Sequence, residues 1–215
     1  NKNCIMGKII AFSNQKGGSG KSTLSSNVAV LWSNSGYKVA VIDADPQKSL
    51  TYWLSERKKY YGADDIGIDF YNFNIRNLPE EIKKIKRKYD FIIIDSPPAI
   101  TFDTIQILKA SNGVFVPVQP SPLDLMATLP FLQIAKDERK KPLIILNRVM
   151  PRAKLTEAMI LRLRYSGAKI ARSRISSKVI FAETFAVGRG VIDINVTSDA
   201  AKEIINVGNE ILRNL

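Results

Sequence analysis

Short apolar runs alternate along the chain with longer stretches in which apolar residues recur every three or four positions. This order is typical of alternating strands and helices. It predicts an α/β fold with a mostly parallel, twisted sheet and helices on both faces. Runs that are apolar at every position, such as 91–94, favour strands buried on both sides. The predicted strands are Lys8–Ser13, Lys38–Asp43, Ile68–Phe73, Asp90–Asp95, Gly113–Val118, Pro142–Asn147 and Ala168–Ile175.

The predicted helices occupy the periodic stretches between those strands. No linker or repeat interrupts the series, so residues 6–215 are predicted to form a single domain. Residues 1–5 precede a methionine and are interpreted as an extension or remnant outside the fold. The helices are predicted at Lys21–Ser35, Gln47–Lys59, Pro79–Lys88, Thr101–Ala110, Leu123–Lys140, Lys154–Tyr165 and Ser198–Leu215.

The composition excludes several classes of mechanism. The chain has 215 residues, with one cysteine and no histidine. A single cysteine cannot form an internal disulfide or a thiolate metal site, and mechanisms with a histidine base or ligand are excluded. No apolar run reaches the length of a membrane span, and no signal-peptide pattern opens the sequence. We therefore expect a cytoplasmic protein.

A glycine-rich segment, KGGSGKST at residues 16–23, follows the first predicted strand and opens the first predicted helix. Glycines allow consecutive backbone amides to turn toward phosphate oxygens, and the helix amino terminus adds positive potential. In such a loop the lysine before the helix contacts the β- and γ-phosphates, and the following hydroxyl coordinates Mg²⁺. The segment predicts a P-loop NTPase with these nucleotide-binding residues: Gly17, Gly18, Ser19, Gly20, Lys21, Ser22 and Thr23.

The segment departs from the general P-loop pattern in an informative way. Gln15 stands where that pattern has its first glycine, and Lys16 begins the loop. The resulting pattern, K-G-G-x-G-K-[ST], resembles the deviant Walker A motif of the ParA/MinD family of ATPases. The resemblance implies that Lys16 acts in catalysis by reaching across a dimer interface to the nucleotide of the other subunit. It therefore also implies a homodimer that forms when ATP binds.

Two further segments resemble motifs of the same family, and each lies at the end of a predicted strand. The sequence DADPQ at residues 43–47 is similar to the family's D-x-D-P-Q motif. This implies that Asp45 orients the attacking water and that Asp43 lies in the water shell of the metal. The apolar run that ends in Asp95 is similar to a Walker B strand, which implies that Asp95 holds Mg²⁺ through water. Taken alone, the carboxylate pair is as consistent with the capping of a loop.

The end of the sixth predicted strand bears on the choice of base. The commonest GTPases read guanine with an N-K-x-D element, whereas this strand ends in the sequence NRVM at residues 147–150, without an aspartate. This favours ATP, so ATP and Mg²⁺ are the expected cofactors. The family resemblance further implies that Asn147 contacts adenine. For Arg148, a solvated charge on the loop is as consistent with the sequence as a contact with the nucleotide.

Basic residues are concentrated late in the chain. The formal net charge is +12, and the segment Arg148–Arg189 has ten basic residues and two acidic ones. By composition, a solvated basic surface and a polyanion partner are equally consistent with this asymmetry. Resemblance to the DNA-partition branch of the family implies non-specific DNA binding by the ATP-bound dimer. The candidate residues are Arg152, Lys154, Arg162, Arg164, Lys169, Arg172, Arg174, Lys178 and Arg189.

The chain most resembles a short ParA-type partition ATPase of a plasmid or chromosome. This implies slow ATP hydrolysis that is stimulated by a centromere-binding, ParB-type partner, and it implies association with the nucleoid. The C-terminal helix has only two basic residues and no aromatic one, so stable membrane association is not expected. The alternatives are a MinD-like, membrane-associated positioning ATPase and a small-molecule P-loop synthetase of the dethiobiotin type.

Overall fold

The structure is a computed structural model that describes residues 7–62, 66–151 and 154–215, except for the side chains at 154 and 155. The described strands form one sheet in the order β3-β2-β4-β1-β5-β6-β7, and every neighbouring pair is parallel. The predicted parallel sheet is therefore confirmed. The strands are β1 (Lys8–Phe12), β2 (Val39–Asp43), β3 (Ile68–Tyr71), β4 (Phe91–Asp95), β5 (Gly113–Val118), β6 (Leu143–Val149) and β7 (Lys169–Ser176).

Each predicted helix is present, with ends that shift by a few residues. The helix predicted at 79–88 ends at Ile85 and continues as a single 3₁₀ turn over Lys86–Lys88, and another such turn covers Ile75–Asn77. The helices are α1 (Lys21–Asn34), α2 (Ser49–Tyr61), α3 (Leu78–Ile85), α4 (Phe102–Ala110), α5 (Pro122–Asp137), α6 (Lys154–Tyr165), α7 (Ile180–Ala186), α8 (Val191–Ile194) and α9 (Asp199–Leu212).

Two of these helices, α7 and α8, were not predicted. They lie between β7 and α9, and each is too short to show a helical period clearly. Only Phe181 and Thr184 of α7 are buried, so its sequence has almost no apolar stripe. Their position is nevertheless fixed by close packing, because a Cβ added at Gly188 would lie 2.0 Å from the backbone nitrogen of Arg57.

The core lies on both faces of the sheet. Phe91 and Ile93 of β4 pack into the cluster shared with α1 and α9, whereas Ile92 and Ile94 pack into the cluster shared with α3. Successive residues of a strand point to opposite faces, so a strand covered twice must be apolar throughout. Trp32 of α1 stacks on Phe91 with ring centroids 4.1 Å apart. This double coverage explains the uninterrupted apolar run in β4.

The sheet brings the ends of β1, β2 and β4 to one edge. Asp95 at the end of β4 lies in register with Asp43 on β2 and with Phe12 on β1. The chain after Phe12 leads into the phosphate loop, so the loop and both carboxylates share this edge. β1 lies between β4 and β5, where the strand order changes direction, and ligands of open parallel sheets bind at such a point.

β7 is the last strand in the sheet, and carboxylates of α9 accept hydrogen bonds from its backbone amides. The Glu210 carboxylate accepts hydrogen bonds from the amides of Arg172 and Ser173, both at 2.8 Å, and that of Glu203 accepts one from the Ser176 amide at 3.0 Å. Burial opposes ionisation of Glu210, but these bonds lower the pKa of its carboxyl below the ordinary value. Three amides of β7 therefore have carboxylate partners within the chain.

Candidate nucleotide site

The phosphate loop runs from the end of β1 to the first residue of α1. Gly20, just before the helix, has a φ of +100°, which disfavours a side chain, and a Cβ there would lie 2.0 Å from Nδ2 of Asn147. That same Nδ2 donates to the Ser19 carbonyl at 2.7 Å, so Asn147 holds the loop against β6. An added Cβ at Gly17 or Gly18 would meet no heavy atom within 4 Å. These two glycines border open space.

Two further amides hold the loop, and the sequence analysis missed both. Asn14 donates from Nδ2 to the Pro117 carbonyl at 2.7 Å and accepts from the Lys16 amide at 3.2 Å. Gln119 donates from Nε2 to the Gly18 carbonyl at 2.9 Å. Asn14 lies two residues after β1, and Gln119 directly follows β5. Their place just after strands next to the phosphate loop is the signal that would have identified them.

The two lysines of the loop differ in their surroundings. Lys21 is 5% exposed, and its Nζ donates to the Lys16 carbonyl at 3.3 Å. Burial lowers the pKa of Lys21, while the nearby Asp95 and Asp45 oppose that shift. The half-buried Lys16 ammonium has no hydrogen bond or ion pair to any of the described residues. Lys21 is therefore built into the subunit, whereas the charge of Lys16 is left for a ligand or a second chain.

Asp43 and Asp45 form a linked pair after β2. The buried Asp43 carboxylate accepts from the amide and hydroxyl of Thr51, at 2.8 and 2.7 Å, and from the Asp45 amide at 3.1 Å. These bonds tie the start of α2 to the strand end. Asp45 accepts from the Gln47 amide at 2.9 Å and is 6% exposed. The geometry makes Asp43 a positioning residue for Asp45 and leaves Asp45 facing the loop.

Asp95 is fully buried, and neither carboxylate oxygen has a hydrogen-bond partner of normal geometry. Burial raises the pKa of Asp95 to about 7, opposed in part by the nearby Ser22 hydroxyl and Lys21 and reinforced by Asp43 and Asp45. Buried polar atoms without partners are rare in native proteins, and each calls for a specific explanation such as a bound ion, an ordered water or a catalytic role. Asp95 is therefore a candidate functional residue.

The residues present fit Mg²⁺ held together with a nucleotide. No group of three or more acidic, histidine or cysteine side chains in the described ranges could hold a metal by itself. Mg²⁺ rarely relies on such a cage and is usually bound by one or two protein oxygens, water and substrate phosphates. Ser22 and, through water, Asp95 would supply that number of protein ligands. Asp43 is less available because its oxygens already accept three hydrogen bonds.

The phosphate loop and Asp45 border a cavity of about 250 Å³, which Asp43 and Asp95 do not line. Gly17, Gly18 and Lys21 line it from the loop, and Asp45 lines it from the end of β2. Arg148 also lines it and adopts a left-handed backbone conformation, φ 53°, where the pairing of β6 with β7 is irregular. The far wall includes residues that the sequence analysis did not assign to the site: Gln47, Ser49, Pro98 and Phe185.

The comparison with known protein families agrees with this geometry. The profile of the CobQ/CobB/MinD/ParA nucleotide binding domain matches residues 10–191. The chain belongs to this family. Its predicted resemblance to ParA/MinD ATPases is thereby confirmed, and it is a member of a nucleotide-binding family.

Similar proteins cover nearly the whole chain. The "Maintenance of carboxysome distribution protein A" of Halothiobacillus neapolitanus is 27% identical and covers 94% of this chain and 95% of its own. The chromosome-partitioning ATPase Soj of Thermus thermophilus is also 27% identical, with 94% of each chain covered. The cell division ATPase MinD of Pyrococcus furiosus superposes with a TM-score of 0.81 at 22% identity, over 98% of this chain and all of that one. The last likeness confirms the P-loop NTPase fold of the family.

The candidate DNA-binding residues lie in several environments. Arg152 and the side chain of Lys154 lie outside the described residues. Arg162 and Arg164 are exposed in the last turn of α6, and Arg172 is exposed on β7. Lys169 is also exposed on β7, and its Nζ donates to Oδ1 of Asn214 at 2.6 Å. These residues therefore lie on β7 and α6, on the side of the sheet where β7 is the outermost strand.

The other candidates already have partners in the chain. Arg174 pairs with Glu157 at 3.2 Å, and Lys178 pairs with Glu203 at 2.6 Å. The Arg189 guanidinium lies 4.7 Å from the Tyr60 ring centroid and donates to the Asp193 carbonyl. These contacts favour a structural role for Arg189.

Proposed function

We propose that the chain is an ATP-driven partition or positioning ATPase. It binds Mg-ATP at the phosphate loop, dimerises through Lys16, binds DNA without sequence preference and hydrolyses ATP slowly. The observation that carries this proposal is the set of unsatisfied groups at one sheet edge. Among the described residues, the buried Asp95 carboxylate accepts no hydrogen bond of normal geometry and has only the Ser22 hydroxyl and Lys21 nearby. The Lys16 ammonium has no hydrogen bond or ion pair in the same part of the chain. A magnesium nucleotide and a second subunit would supply partners for both groups.

The residues of the site have distinct parts in hydrolysis. Loop amides and Lys21 bind the phosphates, and Ser22 and Asp95 would hold Mg²⁺, which supplies positive charge for the developing negative charge of the phosphates. Asp45 orients the attacking water, and Asp43 holds Asp45 in place through its amide. Asn147 stays in contact with the loop and is the proposed adenine contact at the end of β6.

The cargo is proposed from the relatives that match along the whole chain. One of them is named for chromosome partitioning and another for carboxysome distribution. Both names describe the placement of a large object in the cell, and we propose the same class of role here. If the cargo is DNA, the partner is a DNA-bound, ParB-type protein. If the cargo is a protein body, an equivalent adaptor protein connects it to the ATPase. In either case the partner would stimulate hydrolysis and so release the ATPase from DNA on the nucleoid.

The two alternatives receive less support from the structure. The apolar residues Ile204, Val207 and Ile211 of α9 are buried in the core and so do not face a membrane surface. A synthetase needs acid or base groups for a second substrate, and Asp45 is the only acidic residue found among those lining the nucleotide cavity in the described part of the chain.

Replacement of Asp45 by alanine is expected to leave ATP binding intact and to lower hydrolysis by about 100-fold, because a positioned acid–base group contributes roughly that much. The phosphate loop keeps its own contacts, so the ATP-bound dimer should accumulate. Phosphate release and sedimentation of the same sample measure both properties. Wild-type turnover in this variant would assign the orientation of water to another group.

One experiment separates the three functional classes. The protein is mixed with ATP and either random-sequence duplex DNA or liposomes of anionic lipid, and the bound fraction is measured. We expect retention on DNA that is lost with ADP, and no sedimentation with liposomes. Binding to liposomes alone would support the membrane-associated class, and binding to neither would support a small-molecule enzyme.

A further inference from the structure

Two adjoining cavities lie at the amino-terminal ends of the strands, which is the end of the sheet away from the phosphate loop. Their volumes are about 540 and 520 Å³. Residues that precede or begin strands line them, including Gly113 at the start of β5, Pro142 before β6 and Ala168 before β7. In a parallel sheet these amino-terminal ends lie away from the carboxyl ends that hold the nucleotide site. We call this region the basic pole.

The basic pole is lined by cations. None of the residues found to line either cavity within the described ranges is acidic. Most of the cationic residues line both cavities at once, so their charges surround a single region. The six are Lys136, Arg139, Lys140, Lys141, Lys169 and Arg213.

Neutral groups hold several of these side chains in place. Lys140 Nζ donates to the Ser111 carbonyl at 2.8 Å, Lys169 Nζ to Asn214 Oδ1 at 2.6 Å, and Arg213 Nε to the Asn209 carbonyl at 3.2 Å. Such contacts fix a cation without cancelling its charge. Lys136, Arg139 and Lys141 are exposed and have no side-chain hydrogen bond or ion pair to described residues.

Two carboxylates lie near the basic pole but are engaged elsewhere. Glu138 interacts with Lys140 and forms a long ion pair of 3.9 Å with Lys109. Glu210 interacts with Arg213, but its oxygens accept the amides of β7. Neither lines a cavity. The pole therefore retains most of its positive charge. By contrast, Arg174 on β7 and Lys178 just after that strand have carboxylate partners.

Helix dipoles explain only part of this cluster. Cations in the last turn of a helix are stabilised by its carboxyl terminus, which accounts for Lys136 in α5 and Arg213 at the end of α9. Arg139, Lys140 and Lys141 follow the end of α5, and Arg139 adopts a left-handed backbone conformation with φ 56°. Lys140 caps the carboxyl terminus of α4, because its Nζ donates to the carbonyls of Lys109 and Ser111. The side chains of Arg139 and Lys141 make no such bond to the described residues.

We propose that the basic pole binds phosphates of the DNA backbone. The inference rests on the proposed function. It keeps Lys169 from the candidates that the sequence predicts and adds Lys136, Arg139, Lys140, Lys141 and Arg213 as DNA contacts. The pole continues into Arg162 and Arg164, because the turn after α6, Ser166 and Gly167, lines the first cavity. Contacts to phosphates need only positive charge at a suitable spacing, so this surface binds DNA without reading its sequence.

The test compares two triple variants that each remove two lysines and one arginine. The first is Lys136→Gln/Arg139→Gln/Lys141→Gln at the basic pole. The matched control is Arg76→Gln/Lys83→Gln/Lys84→Gln, three exposed residues beside α3 that line neither cavity. Binding to random duplex DNA is measured by fluorescence polarisation with ATP across a salt series. ATP hydrolysis without DNA is measured in parallel.

We expect the pole variant to bind DNA at least ~10-fold more weakly and its log affinity to depend on log salt with a slope shallower by about 2–3. The control should stay within about twofold of the wild type, and basal hydrolysis should be unchanged in both. If the wild type binds DNA and the two variants weaken binding equally, the pole is not the DNA site although the proposed function stands. If the wild type does not bind DNA, the proposed function and the inference both fail.

Discussion

Replacement of Asp95 by asparagine is expected to stabilise the nucleotide-free protein and to lower its ATP hydrolysis on the order of 1,000-fold. The stabilising effect follows from burial of the carboxylate without a partner. The loss of activity follows because asparagine is a weaker ligand for Mg²⁺ than a carboxylate, and the metal contributes several kcal/mol to phosphoryl transfer. A single substitution would thus separate stability from function.

The sign of the stability change follows from the pKa. The folded state raises the pKa of Asp95 from 3.8 to about 7, so the folded protein binds this proton more tightly than the unfolded chain does. The free energy of unfolding therefore falls as pH rises from about 4 to 7 and remains lowered above that range. Asparagine does not titrate, so we expect it to remove this loss, worth roughly 2–4 kcal/mol at pH 8.

The measurement is urea unfolding of the nucleotide-free protein at pH 5 and pH 8. Asp43→Asn is the matched control, because that buried carboxylate accepts three hydrogen bonds and its replacement should destabilise the fold. An Asp95→Asn protein less stable than the wild type at pH 8 would contradict the assignment of Asp95 as an unsatisfied charge.

Replacement of Lys16 by alanine is expected to abolish ATP-dependent dimerisation and to lower hydrolysis on the order of 1,000-fold, as for other cations supplied in trans to phosphoryl transfer. Nucleotide binding should persist, because Lys21 and the loop amides remain and the Lys16 side chain makes no hydrogen bond or ion pair to the described residues of its own subunit. Analytical ultracentrifugation with a non-hydrolysed ATP analogue measures the dimer, and a fluorescent nucleotide measures binding.

Two further variants define the effect. Lys21→Ala should lose nucleotide binding itself, since its buried ammonium faces the loop. Lys83→Ala, an exposed lysine of α3, should behave as the wild type. A Lys16→Ala dimer as stable as that of the wild type would refute the role of Lys16 between subunits.

Local patterns predicted the strands and the phosphate loop because the signals of both lie within a few consecutive residues. The apolar run of β4 and the glycines of residues 16–23 needed no knowledge of distant residues. The supports of the loop could not be predicted in this way. Asn14 bonds to the carbonyl of Pro117, 103 residues away, and Asn147 reaches Ser19 over 128 residues. Only the order of strands in the sheet makes these residues neighbours.

Charge counting along the chain had a similar limit. The segment 148–189 is basic, but Glu203 of α9 pairs with its Lys178. In contrast, Arg139 and Lys141 lie outside the segment and join Lys169 in the basic pole through the packing of β6 beside β7. The net charge of a segment does not show which of its residues form ion pairs or which residues lie close together in the fold. The basic pole could therefore be identified only from the structure.

The carboxylates that close β7 restrict how copies of this protein can assemble. Filaments that grow by adding strands need a free sheet edge with open amide donors. Here Glu203 and Glu210 already accept hydrogen bonds from three amides of β7, those of Arg172, Ser173 and Ser176. A strand that added to β7 would have to break these bonds, so the fold protects this edge against growth by strand addition.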